Sequence, residues 1–259
     1  MNALPERKLA HFTRQVAQIY TSQPGQFPEL TYRRLLQEAR SMISAGGSSA
    51  LDGHVLSAAL APVTLDIDAF DRHITAARYL SNNGPDAWVN EALFAVYFGT
   101  PDRSGRILRQ HIDEILGDLE MAGLMYDLCI WCCMVETAMV LANVLERANK
   151  ADGLREFPCL SIKKLLAERG MNEIDLVERF AICARAGVQV TNRPVRGYRI
   201  IGNTDDGYAY DLLFDAPLSD IVDAGVAMAN AVTEAFPDDL GDIITFSAGR
   251  YIGQEEHGG

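Results

Sequence analysis

The sequence predicts an α+β protein that is mostly helical. We expect a helical bundle domain over residues 1–153, a winged-helix-like α+β module over residues 154–253, and a disordered tail over residues 254–259. Two observations support this division. Apolar residues recur every three or four positions through the first 150 residues, as they do along one face of a helix. Further along the chain, short β-branched and aromatic runs alternate with turn residues, which is typical of strands.

The N-terminal part is predicted to be a series of helices separated by glycine and proline. Asp66 or Asp68 is expected to begin one of them as an N-cap. The longest predicted element runs from Arg103 to Lys150, and Gly117 and Gly123 favour a break within it. Its first half is amphipathic and its second half is apolar on all sides, which indicates a helix in the core.

The apolar stretch Met121–Leu145 is long enough to span a bilayer. It also contains Asp127 and Glu136, and each charge in the middle of a membrane costs about 2.5–3.5 kcal/mol. Burial inside a helical domain satisfies the same pattern without that cost. We therefore expect a core helix here and no contact with a membrane.

The C-terminal module is predicted to begin with two short helices around a turn, Ser161–Glu168 and Glu173–Arg185. Asn172 is a good N-cap for the second helix, and Asp175 stands three residues on, where a capping-box acid would stand. An antiparallel hairpin or sheet and one further helix complete the module. The predicted strands are Val188–Thr191, Tyr198–Ile201, Tyr208–Phe214 and Ile243–Phe246, and the further helix is Ala216–Phe236.

Charge is distributed unevenly along this acidic chain, whose formal net charge is −12. Residues 155–199 carry 9 Lys and Arg against 5 Asp and Glu, whereas residues 200–259 carry 1 against 12. A helix–turn–helix pair with a basic hairpin can contact a nucleic-acid backbone. The residues that would do so are Lys163, Lys164, Arg179, Arg193, Arg196 and Arg199. The alternative is that these cations balance acidic charge within the same protein.

An acidic surface on the C-terminal module predicts a different partner. Its carboxylates would attract a basic surface of another protein and shield it. The candidate residues are Asp205, Asp206, Asp238, Asp239 and Asp242. We expect a protein partner, with nucleic acid as a second option, and the oligomeric state stays open.

The segment from Arg106 to His111 resembles the catalytic motif of HEPN-type ribonucleases, in which four residues separate an Arg from a His in a helical bundle. The resemblance covers six residues, and Ile107 stands where that family often has a polar residue. It implies that Arg106 and His111 act together across a dimer to cleave RNA. The alternative is an exposed Arg and a half-buried His beside an apolar helix stripe.

His111 also suggests a second chemistry, because Glu114 and Asp118 follow it at helical spacing. One helix face with imidazole and carboxylate groups can bind a divalent metal in a hydrolase. Completing such a site would require ligands from another helix. The candidates are Asp66, Asp68, His73 and Glu91. The alternative is a solvated helix face with no metal.

Five cysteines, an odd number, lie mostly in apolar helical sequence. This usage favours a reducing compartment over a disulfide framework, and the N-terminus shows no secretory signal pattern, so we expect a cytoplasmic protein. Cys129 and Cys132 have the spacing of a metal or redox pair, but their neighbours are apolar. We expect them to behave as small core hydrophobes, with no cofactor.

No catalytic pattern dominates the sequence. We therefore predict a non-enzymatic, cytoplasmic binding protein of bacterial type, a regulator, adaptor or assembly subunit. It would act through the C-terminal module, and the basic segment would supply a contact with nucleic acid as a second option. The alternative is an enzyme in the helical half, either the HEPN-like ribonuclease or the metal-dependent hydrolase around His111.

Overall fold

The structure is a computed structural model that describes residues 15–152, 154, 157–203, 207–236 and 243–253. Over these residues the mostly helical α+β prediction is confirmed. The α-helices are α1 (15–21), α2 (Glu29–Ala45), α3 (Gly47–Leu60), α4 (Ile67–Leu80), α5 (Pro85–Ala95), α6 (Pro101–Gln110), α7 (Ile112–Leu116), α8 (Leu119–Trp131), α9 (Val135–Arg147), α10 (Cys159–Glu168), α11 (Glu173–Thr191) and α12 (Leu218–Ala235). The strands are β1 (Val195–Asn203), β2 (Gly207–Phe214) and β3 (Ile244–Arg250). Two 3₁₀ turns cover Ala61–Thr64 and Val96–Phe98.

The predicted helix from Arg103 to Lys150 is four helices, α6 to α9. The break near Gly117 is confirmed, whereas Gly123 lies inside α8. Two further breaks occur at His111, which joins α6 to α7, and at Cys133, whose φ of +58° turns the chain between α8 and α9. The apolar pattern continues through these breaks because all four helices contribute to the same core.

The apolar stretch that is long enough to span a bilayer is thus divided between α8 and α9, which pack against each other. Among the helices that the structure describes, none combines the length and the apolar character needed to cross a membrane.

Helix α11 is longer than predicted. Val188–Thr191, predicted as a strand, is the last turn of α11, and Asn192 ends the helix with a φ of +48°. Gly187 explains the extension, since it lets α11 approach the side chains of Phe214 and Met228 closely. Tertiary packing here outweighs the β propensity of the sequence.

The capping box between α10 and α11 is confirmed. The side chain of Asn172 accepts hydrogen bonds from the N–H groups of Ile174 and Asp175, and the Asp175 carboxylate accepts one from the N–H of Asn172. The following helix packs against α12, α6 and the sheet, so it is buried on most sides. A recognition helix presents a free face to the major groove, and α11 leaves only a narrow exposed stripe.

The sheet has three strands in the order β1-β2-β3. β1 and β2 form the predicted antiparallel hairpin, with Val195 opposite Phe214 and Asn203 opposite Gly207. β3 pairs in parallel with β2, and α12 lies in the connection between these two strands. A parallel pair needs such a crossover, which explains why a helix separates β3 from the hairpin.

The largest buried cluster extends in sequence from Trp88 to Phe246 and combines α5 to α12 with the sheet. It takes residues from both sides of the predicted boundary at residue 153, so the two predicted parts share this core. A second cluster joins α1, α2 and α3, from Val16 to Leu60. The division into two domains stays a prediction, and the predicted tail, 254–259, lies outside the described residues.

Candidate functional site: an apolar cleft beside the hairpin

A cleft of about 880 Å³, lined mostly by apolar residues, opens between the helical part and the β1–β2 hairpin. Its walls come from four regions: α8 and α9, the connection to α10, the start of α10, and the end of the hairpin. The described residues that line it are Tyr126, Met139, Ala142, Glu146, Ala151, Leu154, Phe157, Pro158, Cys159, Leu160, Ile200, Ile201, Gly202, Asn203 and Tyr208.

Aromatic contacts fix the hairpin next to the helices. Tyr198 of β1 stacks on Tyr210 of β2 with ring centroids 5.4 Å apart, and Trp131 at the end of α8 contacts Tyr198 at 5.9 Å. The Tyr210 hydroxyl donates to the carbonyl oxygen of Trp131 at 3.1 Å. Phe157, which lines the cleft, meets the edge of the Tyr210 ring at 6.5 Å. The floor of the cleft is therefore attached to the buried core.

The sheet contributes one end of its hairpin to the cleft. Among the described strands, β1 pairs with β2 alone, and its C-terminal end, residues 200–203, lines the cleft. An edge strand presents backbone N–H and C=O groups to a further strand. Leu160 and Ile201 stand at this opening with 53% and 55% of their surface exposed. The arrangement combines an edge for backbone pairing with apolar surface for side chains.

The tyrosine and the cysteine that line the cleft at Tyr126 and Cys159 have raised pKa values. Burial, with Cys159 as the next contribution, raises the pKa of Tyr126 to about 12, and burial likewise raises the pKa of Cys159 to about 12. Both groups are therefore neutral near pH 7, and a neutral thiol is a weak nucleophile. Glu146 is the one charged side chain among the described lining residues.

Arg179, one of the six predicted nucleic-acid contacts, is inside the protein. Its surface is 4% exposed, and its guanidinium lies 4.0 Å from the centre of the Phe236 ring, in a cation–π contact. A guanidinium in this position does not meet a phosphate of a nucleic-acid backbone, which corrects the assignment of Arg179 as a surface contact.

Arg196 and Arg199 are also engaged within the protein. Arg196 donates hydrogen bonds to the carbonyl oxygens of Ile19, Tyr20 and Ser22, at the end of α1. Arg199 on β1 donates to the carboxylate of Asp211 on β2, at 3.0 Å from Nε. These contacts agree with the alternative that basic residues of this segment balance polar and acidic groups of the same chain.

Lys163, Lys164 and Arg193 are exposed, and the side chain of Arg199 is 56% exposed as well. Lys163 lies 3.8 Å from the Glu136 carboxylate, a distance typical of a weak surface ion pair. Lys164 and Arg193 are exposed at the surface. Nucleic-acid binding by these exposed cations stays a prediction. The acidic residues predicted to attract a protein partner, Asp205, Asp206, Asp238, Asp239 and Asp242, lie outside the described residues.

His111 forms local contacts. Its ring stacks on Trp88 with centroids 4.3 Å apart, and its Nδ1 lies 2.9 Å from the Glu114 carboxylate. Asp118 instead caps α8, where its carboxylate accepts hydrogen bonds from the N–H groups of Glu120 and Met121. In the part of the chain that the structure describes, no group of three His, Cys, Asp or Glu residues is placed to hold a metal ion. The trio His111, Glu114 and Asp118 is therefore not assembled as a metal site.

The additional ligands suggested for that site have separate roles. Asp66 caps α4 by accepting the N–H of Ala69 at 2.8 Å, which confirms the first of the two predicted N-caps. Glu91 is buried between Arg78 and Arg103. His73 pairs with His54. Asp68 is exposed in the first turn of α4.

The Arg106–His111 motif lies at the α6–α7 junction, where Arg106 is exposed. The ribonuclease activity that its resemblance implies requires a second chain and stays a prediction.

All five cysteines are buried and unpaired. Burial raises the pKa of each thiol, to about 12 for Cys183, so these side chains are neutral near pH 7. The expectation that Cys129 and Cys132 belong to the core is confirmed.

Comparison of the chain with protein-family models, with curated proteins and with solved structures finds no match. The geometry of the molecule therefore carries the functional argument alone.

Sequence reasoning did not find the cleft. Its lining is contributed by residues that are far apart in the chain, from Tyr126 to Tyr208. The signals that were available are exposed aliphatic residues, Leu160 on the polar side of α10 and Ile201 next to Ile200 in the hairpin. Neither signal identifies a site until the fold places the two residues at one opening.

Proposed function

We propose that this protein is a non-enzymatic binding protein, a regulator, adaptor or assembly subunit of the cytoplasm, that captures an extended segment of a protein partner in the apolar cleft. The supporting observation is that the end of β1, a strand that pairs with β2 alone among the described strands, lines the cleft. A peptide that adds a strand to a sheet edge gains backbone hydrogen bonds, and pockets for alternate side chains provide specificity.

The lining also indicates which peptide would bind. Leu154, Phe157 and Leu160 offer apolar surface for every second side chain of a strand beside residues 200–203. Glu146 is at the cleft, and the whole chain is acidic, so a basic residue next to the apolar positions is favoured. The occupant we propose is an extended, apolar segment that carries at least one Lys or Arg.

A displayed library of random twelve-residue peptides tests this function. Wild-type protein should enrich peptides with alternating apolar residues and a basic residue, and Leu160→Asp/Ile201→Asp should lose them. Both positions are more than half exposed, so the substitutions leave the core intact. Val222→Asp is the matched control, because Val222 is 59% exposed on α12 and does not line the cleft.

Two outcomes would contradict the proposal. One is the absence of any enriched peptide on the folded wild type. The other is enrichment of the same peptides on the double variant. N-methylation of alternate amides in an enriched peptide separates strand pairing from apolar adhesion, because it replaces backbone N–H donors with methyl groups and leaves the side chains unchanged. We expect it to abolish binding.

A further inference from the structure

A second cavity, of about 370 Å³, lies between α2, α3 and α4 and shares no described lining residue with the cleft. Leu36, Ile43 and Leu60 supply an apolar surface to it. Arg40 and Arg72 line it from two different helices, α2 and α4. An apolar surface combined with two cations from different helices is suited to an organic molecule that has an apolar body and an anionic group.

The two arginines are available for such a ligand. Within the described residues, neither Arg40 nor Arg72 lies within ion-pair distance of a carboxylate. Arg33, which is also on α2, instead forms an ion pair with Glu29. Asp66 also lines the cavity, but its carboxylate accepts the Ala69 N–H as the N-cap of α4. Guanidinium groups bind carboxylate and phosphate groups through paired N–H donors.

His73 adds a third donor to this cavity. Its Nδ1 lies 2.9 Å from Nδ1 of His54, and the two ring centroids are 5.2 Å apart, so the imidazoles meet head-on. A single proton occupies such a contact, because two N–H groups would repel each other. When His54 donates, Nδ1 of His73 accepts, and the hydrogen of neutral His73 is on Nε2. In that arrangement, the contact with His54 leaves Nε2 of His73 as its donor.

We propose that this cavity binds a small organic anion, with its carboxylate or phosphate group held by Arg40 and Arg72 and by the Nε2–H of His73. The apolar body of the ligand packs on Leu36, Ile43 and Leu60. His54 acts as a positioning residue, since it touches His73 and does not line the cavity. This site shares no described lining residue with the peptide cleft, so the two proposals are tested separately.

Titration calorimetry at pH 7 with three small molecules that share a phenyl ring tests the site. Benzoate carries a carboxylate, phenyl phosphate carries a phosphate, and benzamide is the neutral analogue of benzoate. We expect saturable binding of at least one anion at one site per chain and no binding of benzamide. The preferred anion identifies which of the two acidic groups the site selects.

Variants locate the binding. Arg40→Gln and Arg72→Gln should each weaken the affinity for the anion at least tenfold. Arg34→Gln is the matched control, because Arg34 is an exposed arginine of α2 that does not line the cavity, and it should bind like wild type. Failure of both anions to bind the folded protein overturns the proposal. The proposal is also overturned if benzamide binds as tightly as the anions, or if Arg34→Gln loses as much affinity for the anion as Arg40→Gln and Arg72→Gln do.

The role of His54 has its own readout. Nitrogen NMR shifts of the His73 ring should show hydrogen on Nε2 in the benzoate or phenyl phosphate complex. His54→Leu should remove the preference for hydrogen on Nε2 and lower the affinity for the anion. His54→Gln retains an N–H donor, so it should keep both the preference and the affinity close to those of wild type. If His54→Leu leaves the His73 signals and the affinity unchanged, His54 has no positioning role.

Discussion

Arg196 on β1 donates a hydrogen bond from Nε to the carbonyl oxygen of Tyr20, 2.9 Å away and 176 residues earlier in the chain. Its Nη2 reaches the carbonyl oxygens of Ile19 and Ser22, both at 3.2 Å. The last carbonyls of a helix have no partner within the helix, and a cation near them also meets the negative end of the helix dipole. Arg196 therefore attaches α1 to the sheet.

This contact predicts that Arg196→Ala destabilises the protein. Hydrogen bonds from charged donors contribute about 1.5–3 kcal/mol, and partial exposure of this site places the expected loss near 2 kcal/mol. Urea unfolding measures it. Arg193→Ala, at an exposed position of the same segment, should change the free energy of unfolding by less than about 0.5 kcal/mol. Similar losses in both variants would show that Arg196 has no special role.

Two helical glycines should respond to alanine with opposite signs. A Cβ at Gly187 in α11 would lie 2.8 Å from Cζ of Phe214, so Gly187→Ala should destabilise by about 1–3 kcal/mol through overpacking. Gly225 in α12 has nothing within 4 Å of the added atom. Gly225→Ala should stabilise by about 0.5–1 kcal/mol, because alanine is the better helix former.

Thermal and urea unfolding of the two alanine variants measure this difference directly. A gain in stability for Gly187→Ala would mean that α11 and the sheet are packed less closely than the structure indicates.

Glu91 should be the most sensitive ionic residue of the helical half. Its buried carboxylate lies 2.6 Å from Arg78 and 2.8 Å from Arg103, which connects α4, α5 and α6. Glu91→Gln leaves two arginines without their shared anion. Loss of a partner in a fully buried ion pair costs about 3–5 kcal/mol, and the partial exposure of both arginines reduces our expectation to about 2 kcal/mol.

Asp71 provides the comparison for Glu91. It pairs with Arg103 at 2.6 Å but is half exposed, so Asp71→Asn should cost less than about 1 kcal/mol. The free energies of unfolding of the two variants, measured at the same salt concentration, test the order. An equal or larger effect at Asp71 would contradict it.

Stability should fall as the pH is lowered through the range where histidine titrates. Burial lowers the pKa of His54. The pKa of His73 is also lowered, mainly by burial and then by the nearby His54 and Arg72, while Asp66 has a smaller opposing effect. Between these lowered values and the ordinary value of 6.5 the unfolded chain binds more protons than the folded protein. The unfolding free energy therefore increases with pH in this window, and the contribution is complete above it.

The His54→Gln/His73→Gln variant isolates this contribution. We expect the difference in unfolding free energy between wild type and variant to shrink as the pH falls from 7 to below the lowered pKa values. If the difference does not change with pH, the histidine pair is not the source of the pH dependence. Carboxylates contribute equally to the two proteins, so they cancel in this difference.

The candidate site was accessible to sequence reasoning only in part. The hairpin that forms one wall follows from Tyr198–Ile201 and Tyr208–Phe214, whose residues favour strands and are separated by turn residues. Leu160 and Ile201 look like scattered surface hydrophobes in the sequence, because exposed single aliphatic residues are common. They become a site only when α10 and the hairpin are adjacent.

The sequence by itself determined the local features of this protein. Helical periodicity, the capping box of Asn172 and Asp175, the N-cap Asp66 and the apolar sequence around the cysteines all depend on neighbours within a few residues. The tertiary structure decided the rest: that α11 continues to Thr191, that Arg179 and Arg196 act inside the protein, and that His54 meets His73. These outcomes depend on contacts between distant parts of the chain. Local helix and strand propensities contribute less free energy than those contacts, so they do not decide the outcome.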